Sequence, residues 1–159
     1  MFSMLTIFDV GDQTQYLNGG SSRWRTQLSW EHVVPHVTIE YSANVAEHHD
    51  IDGLVEAVHS AALDHGLATP AALRTRAAKR SLYRVADGDA SFAFVAIAVR
   101  IGPGRDLTEK RSFIETLLDA AEQAVQPTDL AIAWSIELTE IDPELRINRN
   151  GVRKAMEAD

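Results

Sequence analysis

Apolar residues alternate with polar ones from His36 onward: Val37, Ile39 and Tyr41 share one side of His36–Tyr41, the pattern of a half-buried strand. Leu54, Val55, Val58, Ala61 and Ala62 then recur at helical spacing. Asp50 or Asp52 is placed to cap that helix and His65-Gly66 to stop it. A second extended stretch is predicted over roughly Leu73 to Val85, closing on the turn signal Asp87-Gly88-Asp89. Phe92 to Val99 is almost wholly apolar, as expected of a strand buried on both faces, and it runs into Ile101-Gly102-Pro103-Gly104-Arg105. Asp106 with Glu109 three residues on forms a capping-box signature, after which Leu107, Ile114, Leu117, Leu118, Ala121 and Val125 mark one helix face as far as Pro127. Leu130, Ile132, Trp134, Ile136 and Leu138 alternate along a last strand, and a short polar tail with Asp142-Pro143 and Asn148 to Asn150 follows.

The order strand, helix, strand, repeated once, predicts an α+β domain of two layers. Two βαβ units with right-handed crossovers form a four-stranded sheet with two helices on one face. The uncovered face, including part of the Phe92–Val99 run, is expected to be apolar and to need a partner. Residues 1–34 show no sustained period and contain the loop-like run Asn18-Gly19-Gly20-Ser21-Ser22, so a boundary is set before Pro35. The domain is residues 35–159, and residues 1–34 are read as an N-terminal extension, either a mis-called start or a flexible leader.

Composition narrows the function. The 159 residues, 45% of them hydrophobic, suffice for one core. A formal charge of -8 argues against a broad nucleic-acid-binding surface. The absence of cysteine excludes disulfides and thiol chemistry and is compatible with a cytoplasmic protein. Asp9 and Asp12 interrupt the apolar start before a signal core or membrane span could be completed, so neither export nor membrane insertion is expected.

Few constellations point to chemistry on their own. His48-His49 beside Asp50 are chain neighbours pointing in different directions, and no metal is assigned to them. No Gly-x-Ser-x-Gly elbow is present, and Gly102-Pro103-Gly104 lacks the Lys-Ser/Thr of a phosphate loop. Trp134 and Phe94 read as core rather than as stacking platforms. Arg76, Lys79, Arg80 and Arg84 read as an exposed charged face, and on pattern alone Arg74 and Arg105 are as readily surface charges as ligands. Pro35, taken by itself, reads more readily as the break between a leader and a first strand.

Several ordered segments change that balance. Pro35-His36-Val37-Thr38-Ile39-Glu40-Tyr41-Ser42-Ala43-Asn44, Arg74-Thr75-Arg76, Ala86-Asp87-Gly88 before Phe92-Ala93-Phe94-Val95, Ile101-Gly102-Pro103-Gly104-Arg105, and Ile136-Glu137-Leu138 leading to Asn148-Arg149-Asn150 together resemble the 5-carboxymethyl-2-hydroxymuconate Δ-isomerases of the tautomerase superfamily. The Gly104-Arg105 turn is also similar to that of the smaller 4-oxalocrotonate tautomerase. The resemblance covers nearly everything after residue 34. It implies the tautomerase fold, a homotrimer, no cofactor, and conversion of 5-carboxymethyl-2-hydroxymuconate to its 2-oxo-3-ene isomer in aromatic (homoprotocatechuate) catabolism. It further implies that Pro35 is the catalytic base through a free amino terminus, and that Arg74 and Arg105 bind a dicarboxylate or tricarboxylate enol. Arginine suits that task because it grips carboxylates bidentately and keeps its charge.

One feature of the sequence stands against the catalytic role. Val34 precedes Pro35, which makes the proline nitrogen a tertiary amide with no basicity near pH 7. A valine codon can initiate translation, and the resulting methionine is trimmed before proline, so a start at position 34 would free the amine. A genuine extension could instead be cleaved, or could leave a non-catalytic small-molecule-binding or assembly protein of the same fold with Pro35 blocked.

Overall fold

A computed structural model describes residues 35–158, and the reading of residues 1–34 as an extension lies outside the described residues. The elements run β1 (His36–Ser42), α1 (Val45–His48), α2 (Ile51–Asp64), β2 (Arg74–Arg80), β3 (Phe92–Ile101), α3 (Leu107–Ala124), β4 (Ala131–Glu140) and α4 (Gly151–Met156). The four strands form one sheet in the order β2-β1-β3-β4. β1 is parallel to β2, β3 is parallel to β4, and the two central strands are antiparallel. The fold is therefore the α+β arrangement of two βαβ units expected from the alternation of patterns.

Local chemistry sets the helix ends. The Asp50 carboxylate accepts from the Asp52 amide (3.0 Å) to start α2. Asp106 and Glu109 close a full capping box at α3, with Glu109 N donating to Asp106 Oδ1 (2.9 Å) and Asp106 N to Glu109 Oε2 (3.2 Å). Leu54, Val58 and Ala62 of α2 and Phe113, Leu117 and Ala121 of α3 lie at four-residue spacing, so each helix buries one stripe. Those stripes cover Val37 and Ile39 of β1 and Val95, Ile97 and Val99 of β3, all essentially inaccessible.

The other sheet face corrects two expectations. β3 is not buried on both sides: its residues alternate, with Ala93, Val95, Ile97 and Val99 under the helices and Phe92, Phe94, Ala96 and Ala98 half-buried on the open face. Phe94 is thus not part of the main core. It meets Tyr83 edge-on at 6.1 Å, whereas Trp134 packs under the helices. Nor is the open face uniformly apolar. The strand register aligns Arg74, His36, Arg100 and Thr139 in one row at its end, with Arg76, Thr38, Ala98 and Glu137 in the next.

The extended stretch predicted as far as Val85 ends at Arg80, and residues 81–91 form the exposed connection to β3. The polar tail also proves more structured than its composition suggests. Ile141 N donates to Ile101 O (2.7 Å), and Asn150 both sends Nδ2 to Ala71 O (2.8 Å) and caps α4 by accepting from Arg153 N (3.2 Å). Residues 141–150 therefore run as a strap from the β3–β4 side of the sheet to the loop ahead of β2. No helix of the described residues is long and apolar enough to cross a membrane.

Candidate functional site

The strap crosses the end of the sheet at which β1 begins, and there lies Pro35. It is buried, and its carbonyl accepts a hydrogen bond from the backbone amide of Arg74 (3.1 Å), which fixes it to the start of β2. Because β3 is antiparallel to β1, its last residues, Arg100 and Ile101, arrive at the same end, and the turn beyond them delivers Arg105. Gly104 makes that turn with φ of +110°, a backbone conformation that strains any residue with a side chain.

His36 is the first residue of β1 and stands directly between Arg74 and Arg100 in the strand register. Adjacent strands are about 4.8 Å apart, so the two arginine backbones are separated by roughly 10 Å with an imidazole between them. A cavity of about 230 Å³ opens here, lined by His36, Arg100, Ile141, Leu145, Arg146, Ile147 and Asn148. Burial holds the His36 imidazole below its ordinary value of 6.5. Arg74, Arg76, Arg100 and Arg146 add to that depression in descending order, because each opposes a further positive charge. The end of the sheet is thus a focus of positive potential on a chain whose formal charge is -8.

The three residues singled out from the sequence are brought together unequally. Pro35 and Arg74 are joined by the backbone hydrogen bond, and the Arg74 Nη1 donates to the Ala72 carbonyl (3.2 Å). Arg105 comes to the same end of the sheet but on the helix side. Its Nη2 donates to Leu67 O (3.4 Å), and it lines a different cavity of about 320 Å³ with His65, Gly66, Leu67 and Glu109. Arg100 and Arg146 were missed. Arg100 carried a signal, being the one charged residue that continues the open-face alternation Phe92, Phe94, Ala96, Ala98. Arg146 carried none, since only the strap brings it to His36.

Some of the other polar and charged groups have structural partners. Arg80 and Glu40 form a two-point ion pair on the open face, which holds the Glu40 carboxyl below its usual range through the hydrogen bond from Arg80. His49 shares a 2.8 Å hydrogen bond with Thr128. Arg76, Lys79, Arg80 and Arg84 are exposed.

Compared with known proteins, residues 35–156 match the model of the 5-carboxymethyl-2-hydroxymuconate isomerase family. A 5-carboxymethyl-2-hydroxymuconate Delta-isomerase of Escherichia coli is 29% identical over 121 residues, which is 75% of this chain and 96% of that protein. A solved 5-carboxymethyl-2-hydroxymuconate delta-isomerase superposes with a TM-score of 0.70 at 20% identity, covering 77% of this chain and 93% of its own. A 5-carboxymethyl-2-hydroxymuconate isomerase from Deinococcus radiodurans R1 gives 0.65 at 26% identity with the same coverages. A fused 4-OT symmetric trimer shares the fold at a TM-score of 0.51 and 15% identity, over 66% of this chain and 85% of its own.

Proposed function

Because the chain belongs to the 5-carboxymethyl-2-hydroxymuconate isomerase family, we propose that it converts 5-carboxymethyl-2-hydroxymuconate to the 2-oxo-3-ene isomer, with the Pro35 nitrogen moving the proton. The observation that carries this reading is the location of Pro35. It is buried at the end of the sheet where Arg74, Arg100 and Arg146 converge around His36, and it is the residue at which the family match begins. A secondary amine there would have its ammonium form disfavoured by burial and by neighbouring cations, which tunes it toward a base that works near neutral pH.

In the reaction, the 2-hydroxyl gives up its proton to the amine. The electron pair moves through the diene, so that C2–O becomes a carbonyl and the double bond shifts to C3–C4. The same proton is returned to C5. Atoms and charge balance with no cofactor. Arg74 and Arg105 hold substrate carboxylates, and their fixed charge stabilises the dienolate as it forms. Arg105 faces a separate cavity within one chain, so its part in this mechanism calls for an assembled site. We take the assembly to be a homotrimer, a reading supported by the fused 4-OT trimer of the same fold and by the outer edges of β2 and β4, which no strand among the described residues pairs.

The sequence as printed favours a second reading. With Val34 attached, Pro35 has no basic nitrogen, and the chain would be a non-catalytic binding or assembly protein on this scaffold. The amino-terminal residue of the native protein, with turnover of 5-carboxymethyl-2-hydroxymuconate by that form, separates the two: the first reading requires Pro35 at the amino terminus and turnover, and the second requires residues 1–34 retained and none.

A further inference from the structure

Among the residues that line the cavity of about 230 Å³ at the start of β1, and those beside it in the strand register, His36 alone can take up and release a proton near neutral pH. The other ionisable groups there are arginines, which keep their protons throughout that range, and neither the Asn148 amide nor an aliphatic side chain acts as a base. The imidazole is also uncommitted. His49, His59 and His65 share hydrogen bonds with Thr128 (2.8 Å), Thr75 (3.0 Å) and Ser112 (3.2 Å), whereas neither ring nitrogen of His36 meets a hydrogen-bond partner among the described residues. One nitrogen therefore keeps its lone pair for a ligand in the cavity. The charged groups that act on His36 are all cationic: Arg74 and Arg76 of β2, Arg100 of β3 and Arg146 of the strap. Burial first, and then those charges, hold the imidazole below 6.5, so at neutral pH it is mostly in the basic form. The same cations stabilise a negative charge that develops beside it.

We infer that His36 is a second base of this site: with residues 1–34 attached, when the Pro35 nitrogen is an amide, the imidazole takes the proton of the 2-hydroxyl and returns it to C5. The inference rests on the enol substrate and the location of the site proposed above, and not on the Pro35 nitrogen. As the proton leaves, C2–O becomes a carbonyl and the double bond shifts to C3–C4. The imidazole ends as it began, so atoms and charge balance with no cofactor. His36 directly follows Pro35, and the two Cα atoms are about 3.8 Å apart, so both groups draw on the same arginines.

The test uses the 159-residue chain, with intact mass confirming that residues 1–34 are present. Two substrates are followed, 5-carboxymethyl-2-hydroxymuconate and 2-hydroxymuconate, so that a wrong substrate tail is not read as a missing base. At least one should be converted about 100-fold faster than in buffer, the lower end of general-base catalysis. His36→Gln, which stays polar but cannot take the proton, should remove most of that gain, with thermal melts confirming folding. His48→Gln, at an exposed position on α1, should change the rate less than twofold. In the parent, kcat/KM should fall as the pH drops below 6.5, because the free imidazole is then increasingly protonated. Imidazole added to His36→Ala should restore part of the rate in proportion to its neutral form, a rescue that a merely structural role would not allow. Failure of the Pro35 reading is a separate result, namely a chain begun at Pro35 that is no faster than the full one. The inference on His36 is overturned by a full chain at the buffer rate with both substrates, by His36→Gln at the parent rate, or by a rate that does not fall between pH 7.5 and 5.

Discussion

The backbone amide of Arg74 donates to the carbonyl of Pro35 at 3.1 Å, so the proline is tied through the main chain to the first rung of the β1–β2 ladder. The consequence is a separation of roles. The Arg74 guanidinium can be removed while the hydrogen bond that places Pro35 remains, and the charge and the position of the base can be tested one at a time.

Arg74→Ala and Arg105→Ala should therefore leave folding nearly unchanged and act on the reaction. Each is expected to reduce kcat/KM by at least about 30-fold, or about 2 kcal/mol, the scale of truncating a charge-assisted contact. Steady-state kinetics on 5-carboxymethyl-2-hydroxymuconate checks this, with thermal melts to confirm folding. Parent rates in both variants would remove these arginines from the site.

His36 predicts a pH effect on stability. Its imidazole is held below 6.5 in the folded chain by burial and by Arg74, Arg76, Arg100 and Arg146. In the window below 6.5 the unfolded chain binds more protons at this residue than the folded one, so stability falls as the pH drops and is unaffected well above 6.5. Denaturant melts of the parent and of His36→Asn should converge above pH 7.5 and separate toward pH 5, with the variant losing less.

Assembly gives a third outcome. Sedimentation of the chain begun at Pro35 should show a trimer at micromolar concentration, and a well-behaved monomer would reject the assembled site invoked for Arg105.

The parts of the fold written into local chemistry were legible. Asp106 and Glu109 announce α3 because the capping box is satisfied within four residues, and Val37, Ile39 and Tyr41 announce β1 because only one sheet face is covered. β3 misled because its open-face positions are Phe92, Phe94, Ala96 and Ala98, apolar or small, so the alternation that governs their burial is invisible in composition. α1 spans four residues, too few to show a period, and α4 depends on the Asn150 cap. The strap was opaque for a different reason. Ile141, Leu145 and Ile147 follow no period, and their placement rests on partners at Ile101 and Ala71, roughly 40 and 80 residues away.

Asn150 makes two of the hydrogen bonds that organise this terminus, so Asn150→Ala should be felt locally. Loss of the cap and of the bond to Ala71 costs about 1 kcal/mol each. Hydrogen exchange should accelerate across residues 141–156 while the amides of α3 keep their protection. Unchanged exchange in that segment would mean that the strap is held by something other than Asn150.

The amino terminus is the decisive test of catalysis, because a proline nitrogen is a base only when no residue precedes it. Two preparations are compared: the 159-residue chain, and a chain begun with methionine in place of Val34, from which trimming exposes Pro35. General-base catalysis contributes about 100-fold to 10,000-fold, and the second preparation should be faster by at least the lower figure. Intact mass must show the leader present in the first and the methionine absent from the second. In the short form, an amine-directed reagent at Pro35 should abolish the gain, and Pro35→Ala should retain only part of it, since a primary amine in the same place is a differently oriented base. The bond from the Arg74 amide to the Pro35 carbonyl should hold the Pro35 nitrogen in the same place in both preparations, so a difference in rate reports basicity and not a displaced strand. Equal rates from two verified preparations would mean that another group moves the proton.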